Sequence, residues 1–200
     1  MSLAEDRPIT AVASGGYDIH LPENARELLA ALPQRMLDEL DKVVNPEAIV
    51  PETLRRLFPP AYPTDASADD AYTRLMRRDL LDHHRESLLV LRNSATAQHL
   101  DMSELERWLG AISSLRLMFG SLLGITEDEH DVAPDDPLYS EWICYHFLSY
   151  LQEAIISVLA EELPDPIPDN QVELPGDPWG EPLGGLRWDG TPMPEVDHDG

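Results

Sequence analysis

The stretch SELERWLGAISSLRLMFGSLLG, residues 103–124, decides the fold because it reads as one long amphipathic helix. Ser103 followed three residues later by Glu106 predicts a capping box at its start, and Gly124 predicts its end. The apolar stripe keeps its phase across Gly110, which favours one continuous helix over the two halves of a DNA-reading helix-turn-helix. The stripe consists of Leu105, Trp108, Leu109, Ile112, Leu115, Phe119 and Leu122.

The stretches on either side of this helix predict partners for it. Residues 23–44 form a leucine-rich stripe interrupted by Pro33, which predicts one kinked helix or two shorter ones. A short helix at 51–58 is followed by a proline-rich loop of about ten residues. A long helix is expected over 70–93, and a fifth runs from Asp136-Pro137 to Leu163. In the long helix Tyr72, Leu75, Met76, Leu80, Leu88 and Leu91 are predicted to face inward, with Arg77 among the residues left outside.

The chain begins and ends with segments of a different character. Residues 9–21, ITAVASGGYDIHL, alternate about a Gly15-Gly16 turn and predict a small two-stranded hairpin lying on the helices. Residues 164–200 are rich in proline, glycine and acids, which predicts a disordered tail. The expected fold is therefore mainly α: a single bundle of about five helices over residues 9–163 with an N-terminal β-hairpin, preceded by a flexible segment 1–8.

The charge of the chain limits the function classes. The formal net charge is -24, and from residue 117 onward nineteen acids face one arginine, Arg187. Such a chain repels phosphate, which argues against direct nucleic-acid binding. The sequence shows no apolar run of about 18 residues and no signal peptide, so we expect a cytoplasmic protein without a membrane segment.

Residues with reactive side chains do not form a recognisable catalytic pattern. Cys144 is the only cysteine, which excludes an intrachain disulfide. It shares a helical stripe with Leu148, Leu151, Ile155 and Leu159, which predicts a core position; a redox sensor centred on Cys144, or a disulfide-linked homodimer, is the alternative. The histidine spacings match no metal site, and no nucleophile elbow or phosphate loop occurs. We therefore expect no enzyme activity, catalytic residue, cofactor or metal.

The stretch RRLFPPAYP, residues 55–63, sets arginines beside aromatic residues in this acidic chain. Phe58 and Tyr62 flank two prolines and can fix the loop to the bundle while Arg55 and Arg56 pair with acids, which predicts a structural corner. If they are exposed, the same four residues have the composition of a partner-binding hot spot. Both interpretations stay open at the level of sequence.

Four stretches in order resemble a known family: LRRLFPPAYP (54–63), AYTRLMRRDLL (71–81), ERWLGAISSLRLMFGSLLGITEDE (106–129) and YHFLSYLQEAI (145–155). They are similar to AosR-like actinobacterial proteins of unknown function, some of which are described as oxidative-stress-sensing transcriptional regulators. The resemblance implies a helical domain and redox-linked gene control through a sigma factor or RNA polymerase. It also implies an alternative, an adaptor linked to Clp proteolysis. We expect a non-enzymatic regulator that acts through protein contacts.

Overall fold

A computed structural model of the chain describes residues 7–45, 47–125 and 132–161. Within these ranges lie four α-helices: α1 (Glu23–Asp41), α2 (Ala66–Ser94), α3 (Met102–Leu122) and α4 (Tyr139–Ala160). A 3-10 helix covers Glu52–Leu57, and three short strands are β1 (Ile9–Ala11), β2 (Tyr17–Ile19) and β3 (His99–Leu100). The predicted mainly helical fold with a small N-terminal sheet is confirmed. The tail predicted over 164–200 lies outside the described residues.

Helix α3 is the centre of the bundle because α2, α4 and the 3-10 helix all pack against it. Its apolar stripe is fully buried at Leu105, Trp108, Ile112 and Leu115, and the helix continues through Gly110 as predicted. The predicted cap is wrong by two residues. The Glu104 amide donates to Asp101 Oδ1 at 2.8 Å and the Asp101 amide donates to Glu104 Oε2 at 3.0 Å, because the chain leaves β3 at Leu100 and turns immediately into the helix.

The sheet closes one end of the core and has one strand more than the sequence predicts. β1 and β2 pair antiparallel across the glycine turn, and β2 then pairs with β3 at Tyr17↔Leu100. Ile9, Tyr17 and Leu100 are buried in the core. Gly16 has a φ of 82°, and a Cβ there would lie 2.7 Å from the Leu100 carbonyl oxygen. Glycine is thus required both by the turn and by the approach of the third strand.

Helix α1 continues through Pro33, so the structure has one helix here and not the alternative of two shorter ones. Pro33 is buried on the side that faces the core. Before it, the buried Arg26 donates to the carbonyl oxygens of Leu21 at 2.9 Å, Ile19 at 2.7 Å and Ala97 at 2.6 Å. One guanidinium therefore joins α1 to strand β2 and to the α2–β3 connection.

Helix α2 corrects three expectations. It begins at Ala66, inside the segment predicted as loop, because the Asp65 carboxylate accepts from the amides of Ser67 and Ala68 and caps the helix. Arg77, predicted to face outward, is buried and donates to the carbonyl oxygens of Asn45 at 3.2 Å and Ala48 at 2.8 Å. On the same helix Leu75 is 73% exposed, although the stripe places it inward. In its first turns α2 thus provides hydrogen-bond donors to the carbonyl oxygens of a loop rather than apolar side chains to the core.

Candidate partner-binding surface

Helix α4 has one side packed on α3 and one side turned outward. The packed side consists of Leu148, Leu151, Ile155 and Val158, all buried. These residues recur every three or four positions, as an amphipathic helix requires. Most of the predicted stripe is therefore confirmed, and it fixes which residues of α4 face solvent.

The opposite side is apolar as well. Ile143, Tyr150 and Ile156 are 44%, 54% and 43% exposed. Trp142 is half-buried, and its ring lies 4.2 Å from that of the exposed His146, centroid to centroid. Here these five residues, Trp142, Ile143, His146, Tyr150 and Ile156, are called the outer face of α4. The sequence analysis missed this surface, although the signal was present: a helix that is apolar on all sides, with few charges, indicates a second partner.

Helix α4 is also long and apolar enough, by length and composition, to cross a membrane. Its mean hydropathy over an 18-residue window is 1.3, and only 22% of that window is buried. The sequence analysis searched for an uninterrupted apolar run and did not single out this helix, because polar residues are scattered along it; the absence of a membrane segment stays a prediction. One side of α4 nevertheless packs on α3, so the apolar residues that this packing leaves uncovered lie on the outer face.

All four candidate residues of the corner RRLFPPAYP make contacts within the fold. Arg55 pairs with Glu52 within the 3-10 helix, Nη2 to Oε2 2.7 Å. Phe58 packs against the core and meets the His84 ring edge-on at 6.0 Å. Tyr62 lies edge-on to a tyrosine of α2 at 6.1 Å and is 50% exposed. These contacts describe a corner fixed mainly by Phe58, with Tyr62 accessible at its tip.

Arg56, the fourth candidate, differs from Arg55. Its Nη2 donates to the carbonyl oxygen of Ile125 at 2.8 Å. Together with Arg116 and Tyr145 it lines a pocket between the 3-10 helix, α3 and α4. Among the described residues its polar partner is thus a carbonyl at the end of α3, and its positive charge faces a concave surface.

Cys144 is half-buried at the margin of the core, where its stripe predicted a core position. Burial raises the pKa of its thiol, and the negative charge of Glu141 raises it further, while Arg35 acts in the opposite direction. The net rise leaves less thiolate at neutral pH than an ordinary cysteine has. The raised pKa favours the packing interpretation of Cys144 over the sensor interpretation.

His84 is a partly buried polar group that the sequence analysis assigned no role. Its Nδ1 lies 3.0 Å from Ser114 Oγ, and its Nε2 has no hydrogen-bond partner among the described residues. Burial lowers the pKa of His84 and the charge of His83 lowers it further, while the backbone at Leu57 acts in the opposite direction. No group of three His, Cys, Asp or Glu side chains suited to a metal ion occurs in ranges 7–45, 47–125 and 132–161. His84 is thus best described as a neutral packing residue.

Comparison with known families gives one result. The family model of a domain of unknown function (DUF2017) matches residues 7–159, most of the chain, so the chain belongs to this family. Comparisons with curated proteins and with solved structures gave no match. The family assignment covers the whole helical bundle, including α4 and its outer face.

Proposed function

We propose that this member of the family is a non-enzymatic regulator that binds a protein partner through the outer face of α4. The observation that carries the proposal is the exposure of Ile143, Tyr150 and Ile156 on a helix whose other side is already buried. Exposed apolar side chains are ordinary when they are scattered. Several on one helix face form the contiguous patch that indicates an interaction site.

The composition of the surface supports a protein partner. Trp and Tyr are enriched at interface hot spots because they bury a large area with few rotatable bonds. Trp142 and Tyr150 have this role on the outer face, and His146 is the polar residue between them. An amphipathic helix or a hydrophobic groove of the partner would bury this stripe through side chains three or four positions apart.

Charge and family resemblance suggest the kind of partner. The net charge of -24 steers the chain toward a basic surface and away from phosphate. The resemblance to AosR-like regulators supports a sigma factor or RNA polymerase as that partner. Sensing through Cys144 receives no support from its raised pKa, so the proposed contact does not depend on oxidation.

The test replaces two residues of the outer face and compares the capture of partners. Ile143→Gln with Tyr150→Gln removes apolar area from the surface, whereas Tyr72→Gln with Leu75→Gln removes exposed apolar area from α2 and serves as the matched control. Because both pairs are solvent-accessible, each variant should unfold within about 1 kcal/mol of the parent. Tagged proteins are then incubated with nuclease-treated host lysate, with and without reductant.

The proposal predicts that a sigma factor or RNA polymerase is captured under both conditions by the parent and the control. The outer-face variant should capture it at least about tenfold less well, since losing two anchors of about 1 kcal/mol each has that effect. Capture only under oxidising conditions would instead support the Cys144 sensor. Recovery of Clp components would indicate the proteolysis adaptor, and recovery of only a second copy of the chain would indicate a homodimer.

A further inference from the structure

A second feature of the surface concerns positive charge. Between the 3-10 helix, α3 and α4 lies a pocket of about 190 Å³. Its lining residues are Arg56, Ser113, Arg116, Leu117, Tyr145 and Gln152. Two arginines thus share a concave surface in a chain of net charge -24, and among the residues that the structure describes none that lines the pocket is acidic.

Arg116 is held in place by neutral groups. Its Nε donates to Ser149 Oγ at 2.9 Å, and its Nη1 donates to Gln152 Oε1. The guanidinium carbon lies 5.4 Å from the centre of the Tyr145 ring. These contacts orient the side chain without neutralising it, so among the described residues Nη2 has no hydrogen-bond acceptor and can donate to a ligand.

Arg56 reaches the same pocket from the other side. Its Nη2 donates to the Ile125 carbonyl oxygen, which is also a neutral partner. Its Nη1 lies 3.6 Å from the position that a Cβ on Gly120 would occupy, which places this guanidinium group in van der Waals range of α3. Across the described ranges, neither Arg56 nor Arg116 lies within 4.0 Å of a carboxylate. By contrast, ion pairs are made by Arg7, Arg35, Arg55, Arg74, Arg78, Arg85 and Arg107.

We propose that Arg56 and Arg116 form a binding site for a carboxylate carried on a short aliphatic stem. Two guanidinium groups with unused N–H donors can bind a carboxylate through charge-assisted hydrogen bonds. Leu117 and the Tyr145 ring form an apolar wall suited to methylene groups. Charges beyond about 8 Å are largely screened at physiological salt, so the two arginines contribute more to the local field than acids at longer range do. The site does not depend on a partner at the outer face of α4.

Such a ligand can be a free dicarboxylate or a glutamate side chain of a peptide. The test titrates the full chain with glutarate, and separately with a capped tripeptide that contains one glutamate, at constant ionic strength. Side-chain NMR signals of the arginine Nε–H groups report the binding. We expect saturable shifts of Arg56 and Arg116 with a Kd on the order of 1 mM, the range of small ligands with few contacts. Glutarate binding alone would assign a free acid, and peptide binding a protein ligand.

Matched variants locate the site. Arg56→Gln and Arg116→Gln should each weaken binding at least about tenfold, because each removes a charged hydrogen-bond partner. Arg55→Gln is the control: it is the adjacent arginine, already paired with Glu52, and its removal should leave the affinity unchanged. If Arg116→Gln does not fold, Arg116→Lys keeps the charge and should still weaken binding because it loses the planar donor geometry.

Three results would overturn the proposal. The first is equal affinity in the Arg55 and Arg56 variants. The second is tighter binding of inorganic phosphate than of glutarate at equal ionic strength. The third is binding that appears only after Glu127→Gln, Asp128→Asn and Glu129→Gln are combined, which would mean that the chain's own carboxylates occupy the arginines.

Discussion

At the residue scale, the least expected side chains are arginines inside an acidic bundle. Arg26 and Arg77 are both buried, and both donate to backbone carbonyl oxygens that no helix or strand satisfies. A buried carbonyl without a partner is costly, so one guanidinium that serves two or three of them stabilises the loops around it. The sequence analysis placed Arg77 in solvent because a helical pattern locates the side chain but not the carbonyls of a distant loop.

Replacing Arg26 tests this interpretation. Arg26→Met keeps an unbranched apolar stem, shorter than that of arginine, and removes the donors to Leu21, Ile19 and Ala97. We expect the free energy of unfolding to fall by about 3 kcal/mol, since unsatisfied buried carbonyls cost about 1–3 kcal/mol each. Urea denaturation measures the change. Arg78→Met is the control, because Arg78 is exposed, and it should alter stability by about 0.5 kcal/mol at most. Equal effects of the two substitutions would contradict the role of Arg26.

His84 makes stability depend on pH. Its pKa is lowered in the folded state, so the unfolded chain binds the proton more tightly. The contribution of neutral His84 is complete above the unfolded pKa of about 6.5 and is lost as pH falls from there through the lowered folded pKa. Thermal melts between pH 7.5 and 5.5 should show a decline in the parent that is shallower in His84→Gln. His20→Gln, which replaces an exposed histidine, should leave the decline unchanged. A decline that is shallower in His20→Gln than in His84→Gln would contradict the role given to His84.

At the element scale, the crossing of α2 and α3 explains why a glycine lies inside the central helix. A Cβ at Gly110 would lie 3.3 Å from Ser87 Oγ, closer than an ordinary contact. Ser87 is itself buried and its hydroxyl has no hydrogen-bond partner among the described residues. Gly110 therefore allows the two helices to approach at a cost in helix propensity. The apolar stripe predicts that α3 is continuous, but it does not predict that Gly110 faces Ser87 of α2.

A double-mutant cycle tests this crossing. Ser87→Ala should stabilise the protein by about 1 kcal/mol, because it removes an unsatisfied buried hydroxyl. Gly110→Ala should add about 0.5–1 kcal/mol in the Ser87→Ala background, where the propensity gain is not opposed by the clash. In the parent background Gly110→Ala should stabilise the protein by less, because the Ser87 hydroxyl crowds the new Cβ. Additive effects, measured by urea denaturation, would show that the two residues do not limit the crossing.

The elements differ in how well the sequence predicts them. Helix α3 is marked by periodicity and by residues at both ends, and its predicted bounds are nearly those observed. Strand β3 contains two residues, too few for any period, and it forms only because β2 offers an open edge. The outer face of α4 was not predicted from the sequence. For the arginine pocket, composition drew attention to Arg56, but Arg116 joins it only through the tertiary fold.

At the scale of the whole molecule, the chain combines a strongly negative field with a small number of apolar and positive surfaces. A net charge of -24 opposes self-association and phosphate binding by electrostatic repulsion. Packing among the described residues does not explain why the outer face of α4 is both apolar and exposed. A partner that has a basic surface and covers this face would explain both the negative charge of the chain and the exposed apolar residues.

The measurement that tests this claim most directly is site-specific photo-crosslinking in living cells. A benzophenone amino acid replaces Tyr150 on the outer face of α4, or, as a control, the more exposed Leu75 on α2. The account predicts one discrete protein adduct at position 150, absent at position 75 and lost when Ile143→Gln is added. Adducts of equal yield at both positions, or no adduct at position 150, would contradict the claim that α4 binds a partner.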